Sequence, residues 1–173
     1  DDSDDNVIIG NNAGVGGDAA VTACIAIGKE AMNGTVDDAQ TGTVAIGHKA
    51  LTSLTSGAAN IAIGYQALSG HTSGANNLAI GYNAMCDTDA DDCPTSVDNV
   101  FIGRYAGGGT WAGDDSNYNV GIGNNAMDAA MNGALNNTGV GYTTLSGLTE
   151  GTYNTALGTG SLNALTTSDY NTA

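Results

Sequence analysis

The sequence predicts an all-β chain: a parallel β-solenoid, or β-roll, of nine to ten coils of 17–22 residues each. Three observations predict it. A five-residue motif ending in an aliphatic residue and glycine recurs nine times in order. The closing glycines stand 18, 19, 17, 17, 22, 20, 18 and 17 residues apart, a period typical of stacked units that share one core. The composition is rich in glycine (27 residues), poor in charge (12%) and holds a single proline. Because 41% of residues are apolar and fall in a regular pattern, the chain has the means to bury a core. Helix does not compete, since Gly or Asn interrupts every candidate stripe, including Tyr65-Gln66-Ala67-Leu68.

The first five motifs are Asn6–Gly10, Cys24–Gly28, Thr43–Gly47, Asn60–Gly64 and Asn77–Gly81. Four more follow at Asn99–Gly103, Asn119–Gly123, Asn137–Gly141 and Asn154–Gly158, and a tenth begins at Asn171. We read residues 1–173 as one repeat segment of a longer fibre. Within each motif, the residues three and one before the glycine are aliphatic or Thr. Lying two apart, they share one face of a strand, and they are expected to form the interior of the coil. The residue between them is Ala or Gly in all but Ile8 and Phe101. That column is expected on the opposite face, covered by the same column in neighbouring copies, because strands buried on both faces read as continuous apolar runs. The alternative is a narrow monomeric coil with small residues on a flat outer face.

The glycine ends the strand at a sharp turn. Three residues on comes a small side chain (Ala31, Ala50, Ala67, Ala84) and then a larger apolar one (Met32, Leu51, Leu68, Met85), which closes the coil from the opposite wall. One coil is thus expected to hold two short strands and two turns. At about 4.8 Å per coil, nine coils make a rod on the order of 40 Å long. The asparagines that open the motifs, Asn6, Asn60, Asn77, Asn99, Asn119, Asn137, Asn154 and Asn171, are expected to stack as a hydrogen-bonded amide ladder. Their tolerance of tight-turn angles suits the same place. Cys24 fills one slot of that ladder and is expected to be a buried free thiol; the alternative is a covalent link to another subunit.

Charge limits the partners. Three cations, Lys29, Lys49 and Arg104, face 18 carboxylates for a net charge of −15, which opposes binding to nucleic acid or to anionic membranes. No apolar run approaches the length needed for membrane insertion. His48 and His71 are the only histidines, and neither sits in a nucleophile, zinc or phosphate-loop motif, so no enzyme is expected.

The pattern Asn-(Thr/Val)-Ala-Ile-Gly followed by Tyr-Gln-Ala-Leu and a Ser/Thr/Gly-rich return, carried most clearly by Asn60–Leu68 and Asn77–Met85, resembles the YadA-like heads of trimeric autotransporter adhesins and tail-fibre-like proteins. The resemblance implies a left-handed parallel β-roll, three chains packed as a homotrimer, and a surface that binds host or matrix molecules.

Two insertions carry the remaining chemistry. Cys86 and Cys93 bracket an acidic stretch and are expected to pair, closing a ring worth about 2.5 kcal/mol and placing the chain in an oxidising, extracellular compartment. Within it Asp87, Asp89, Asp91 and Asp92 repeat the alternating oxygen ligands of a calcium loop, without the glycine and distant Glu of a full one. The competing reading is a solvated acidic loop, and no cofactor is required. Trp111, beside Asp114 and Asp115, is the candidate contact for a surface glycan; the competing reading has Trp111 folded back over its own insertion. Tyr65, Tyr82 and Tyr142 directly follow their glycines and are expected to form an outer aromatic column. Two functions fit: an adhesive segment of an extracellular fibre, or a structural filament that polymerises end to end and binds nothing specific.

Overall fold

A computed structural model of the chain describes residues 5–14, 21–34, 40–86, 95–111 and 113–173. These residues form a parallel β-solenoid with no helix among them. The strands are β1 (Val7–Ile9), β2 (Val21–Thr22), β3 (Ile25–Ile27), β4 (Gln40–Thr41), β5 (Val44–Ile46) and β6 (Ile61–Ile63). They continue with β7 (Leu78–Ile80), β8 (Val100–Ile102), β9 (Val120–Ile122), β10 (Thr138–Val140) and β11 (Thr155–Leu157). All but β2 and β4 join one nine-stranded parallel sheet in chain order, motif against motif and in register. Val44 thus pairs with Ile61, Ile61 with Leu78, and Leu78 with Val100.

The faces of the strand are the reverse of the sequence expectation. The small middle residue points inward: Ala45, Ala62, Ala79 and Phe101 are fully buried, while their flanking aliphatics are half-buried. The reason is the width of the coil. Ala31/Met32, Ala50/Leu51, Ala67/Leu68 and Ala84/Met85 on the opposite wall are themselves buried, leaving room for a methyl group but not for a second row of branched side chains. A third interior column, Leu54, His71, Trp111, Met131 and Leu148, lies seven or eight residues after each glycine and fills the rest.

The opposite wall is a turn, not a second strand; the short pair β2 and β4 lies elsewhere, at the end of the return segment just before β3 and β5. Residues two and four after the motif glycine have positive φ: Gln66 (52°) and Leu68 (51°), Asn83 (53°) and Met85 (46°), Asn125 (56°) and Met127 (49°). Each reversal of handedness flips the direction of the peptide, so the N–H groups of these two residues point to opposite neighbouring coils. Gln66 donates to the His48 carbonyl of the coil before (3.0 Å), and Leu68 donates to the Ala84 carbonyl of the coil after (3.0 Å). The turn therefore satisfies its backbone by stacking, as a strand would. The motif glycine is bound to its residue type by the same stacking. Gly64 has φ 137°, and a Cβ there would collide with the Gly81 carbonyl oxygen of the next coil.

Phe101, a large exception in the Ala column, is accommodated by a glycine of the next coil and one of its own. A Cβ on Gly121 would stand 2.5 Å from its ring, and one on Gly107 would stand 2.8 Å away. Trp111 packs edge-on against the same ring at 5.7 Å and 70°.

Candidate functional site

The asparagines lie at the entry to each strand, where they are buried and linked. Asn77 Nδ2 donates to Asn60 Oδ1 (3.3 Å), Asn99 to Asn77 (3.1 Å), Asn119 to Asn99 (3.3 Å) and Asn137 to Asn119 (3.0 Å). Asn154 to Asn137 (3.0 Å) and Asn171 to Asn154 (2.8 Å) complete the run. Each acceptor oxygen also takes the backbone N–H of the next asparagine, as Asn60 Oδ1 does from Asn77 N at 3.0 Å. The spare amide hydrogen reaches into the return segment, for example from Asn99 to the Ser116 carbonyl (2.9 Å). A side chain thus ties its own strand, the coil before it and a return segment together. The left-handed backbone belongs to the residue before the asparagine, such as Ala59 (58°), Asn76 (60°), Asp98 (58°) and Tyr153 (57°), and not to the asparagine itself.

Asn6 Oδ1 accepts the Cys24 N–H (2.8 Å), but Cys24 and Thr43 interrupt the side-chain ladder between Asn6 and Asn60. Cys24 is a buried free thiol whose Sγ lies 2.8 Å from the Gln40 carbonyl. Burial pushes its pKa up, outweighing the backbone hydrogen bonds, and puts it out of reach of another subunit. Nearby, Gln40 Oε1 and Thr43 Oγ1 are buried without a hydrogen-bond partner, so the broken ladder is also where polar satisfaction fails.

Trp111 is fully buried in the third interior column and offers no ring face to a glycan. Asp114 and Asp115 act on their neighbours instead. The Asp114 N–H donates to Asn132 Oδ1 (2.8 Å) on the following coil, and Thr95 Oγ1 on the preceding coil donates to Asp115 Oδ2. The calcium candidates Asp87, Asp89, Asp91 and Asp92 lie outside the described residues, as does Cys93, so the Cys86–Cys93 pairing does too. Among the described residues no cluster of His, Cys, Asp and Glu is arranged to hold a metal.

Neither histidine is open to a bound molecule on two sides. His71 is fully buried, 3.2 Å from Asn77 Nδ2, and desolvation pushes its pKa down to about 4, against a smaller opposing effect of the Gly74 carbonyl. His48 is stacked on Tyr65 at 5.3 Å and 17°. The cations are engaged as well. Lys29 and Lys49 both meet Glu30 (3.3 and 3.6 Å), whose carboxyl is held below its usual range chiefly by Lys29, and Arg104 sits 4.7 Å over the Tyr105 ring.

What remains is the outward face of the sheet, which the alternation of the motif missed by assigning it inward. Its eighteen outward positions on nine strands are aliphatic except Thr138 and Thr155, and none is charged. At about 4.8 Å per strand and roughly 10 Å across, this apolar stripe covers on the order of 400 Å², the size of the largest apolar patch that a monomer ordinarily leaves open and one that is often functional. Beside it, parallel stacks of aromatic rings run along the coil axis: Tyr65 on Tyr82 (5.1 Å, 8°) and Tyr153 on Tyr170 (5.1 Å, 8°), with Tyr105 meeting Tyr82 edge-on (5.6 Å, 72°). Comparison of the chain with protein-family models, with curated proteins and with solved structures finds no match.

Proposed function

We propose that this chain is a non-enzymatic structural and adhesive segment of an extracellular fibre, in which copies pack along their aliphatic stripes, three to a particle. The observation that carries this reading is the continuous, uncharged row from Val7 and Ile9 to Val140, unpartnered in the single chain. An apolar surface of this extent is often an interaction site, and copies related by rotation about an axis parallel to the coils can bring their in-register stripes together. The resemblance of Asn60–Leu68 and Asn77–Met85 to YadA-like heads supports the threefold count. In such a particle the acidic return segments face outward, and they are the surface available to a glycan or matrix partner.

The second reading, a filament of coils stacked end to end, draws on a different observation. Every coil pairs with the next motif against motif and in register, and a parallel sheet built this way can be extended by the same pairing between chains.

Sedimentation equilibrium on the wild-type chain and on Ile63→Asp/Ile80→Asp decides between them. The packed-stripe reading expects a discrete trimer that the double variant converts to a folded monomer. A wild-type monomer defeats the self-association reading, and an open series of masses that the variant leaves intact favours the filament.

A further inference from the structure

The tyrosine stacks have a chemistry that is independent of the fibre reading. Tyr65 and Tyr82 occupy the same slot on consecutive coils, the residue after the motif glycine; Tyr153 and Tyr170 share another, the residue before the ladder asparagine. In-register stacking brings each pair of rings face to face, with centroids 5.1 Å apart and planes 8° from parallel. All four are open to solvent, at 42% and 47% for the first pair and 52% and 76% for the second. Among the described residues, the side chains that would ordinarily be oxidised first are shielded except Cys86, which is partly exposed. Met32, Met85, Met127, Met131, Trp111 and Cys24 are all buried, and susceptibility to oxidation follows exposure.

We infer that Tyr65–Tyr82 and Tyr153–Tyr170 are oxidative cross-linking sites at which a haem peroxidase with hydrogen peroxide joins consecutive coils through a bond between phenol rings. Each phenol gives up one electron and one proton, and the two phenoxyl radicals form a carbon–carbon bond between the ring positions next to the hydroxyls. The hydrogens on those two carbons then shift to the oxygens as the rings regain aromaticity. Hydrogen peroxide takes the two electrons and two protons and leaves as two waters. The product is a covalent staple from one coil to the next, closing a 17-residue loop in each case. Tyr82 and Tyr105 are poorly placed for the same bond, because their rings meet edge-on and Arg104 covers the Tyr105 face.

The test is to treat the dilute full chain with a haem peroxidase and hydrogen peroxide and to map cross-linked peptides by mass spectrometry after thermolysin digestion. The expected result is intrachain Tyr65–Tyr82 and Tyr153–Tyr170 links, each lighter than its two peptides by two hydrogens, and a shift of unfolding to higher denaturant. Tyr82→Phe, which keeps the stack, should lose the first link and retain the second; Tyr170→Phe should do the reverse. Links spread evenly over all the tyrosines, including Tyr118 and Tyr142, would overturn the inference. So would the absence of both links while N-acetyltyrosine amide couples in the same solution.

Discussion

The Phe101 ring occupies the space that a side chain on Gly121, twenty residues later and one coil up, would need: a Cβ at Gly121 would stand 2.5 Å from Phe101 Cε1. Large against small on consecutive coils is how this bulky member of the inner strand column is housed. The ring is fully buried and held edge-on by Trp111, so it has little freedom to yield. Gly121→Ala is expected to destabilise the chain by about 1–3 kcal/mol in denaturant unfolding, the usual cost of overpacking. Adding Phe101→Leu should recover part of that loss, and the double-mutant cycle should show coupling between the two positions.

Removing one rung of the amide ladder should cost more than removing an exposed amide. Asn99→Ala would strip the acceptor from the Asn119 N–H (3.0 Å) and from Asn119 Nδ2 (3.3 Å), and the donor from the Ser116 carbonyl, all buried. With buried groups left unpaired, the loss is expected to be about 3 kcal/mol. Asn124→Ala, whose side chain accepts one exposed bond from the Arg104 N–H, should lose less than about 1 kcal/mol by the same measurement.

His71 makes stability depend on pH in the weakly acidic range. Its pKa falls from 6.5 to about 4 on folding, because burial disfavours the charged ring. The unfolded chain therefore takes up a proton that the folded chain refuses. Stability is full above pH 6.5, declines as the pH drops toward 4, and loses nothing more from this group below that. The total is about 3 kcal/mol. His71→Leu, which places in this slot the residue found at Leu54 and Leu148, should flatten that part of the unfolding free energy against pH. An unchanged slope in the variant would assign the dependence to the carboxylates instead.

Thr143 is a β-branched residue held at φ 51°, in the slot where other coils place Asn12, Asn83 and Asn125. Left-handed backbone is costly for branched side chains and mild for Asn. Thr143→Asn is therefore expected to raise stability by about 0.5–1 kcal/mol in denaturant unfolding, although it gives up the exposed bond from Thr143 Oγ1 to the Tyr142 carbonyl.

The parts of the candidate site that were legible in advance are those repeated at a constant offset. Asn77, Asn99 and Asn119 could be read as a ladder because each opens a motif, and Tyr65 and Tyr82 as a column because each follows a glycine. Trp111 misled because it stands in an insertion, where a lone aromatic beside two carboxylates resembles a binding platform. Its signal lay in another register: it stands eight residues after Gly103, as Met131 does after Gly123, in line with Leu54 and Leu148 seven after theirs. Counting forward from the glycine would have put it in the core.

The sequence alone determined the period, the order of the coils and the in-register parallel sheet, because identical motifs at near-constant spacing leave only one economical way to pair. It could not determine which strand face looks inward. Alternation shows that Ile61 and Ile63 share a face and Ala62 takes the other, but both faces are apolar, so hydrophobicity casts no vote. The tertiary structure decided it through the spacing between walls. Left-handed turns such as Gln66-Ala67-Leu68 bring buried Ala and Leu so close to the strand that only hydrogen or methyl fits opposite, except at Ile8 on the edge strand and where Gly121 makes way for Phe101. The larger aliphatics are left on the outside, where they form the stripe on which a second chain can pack.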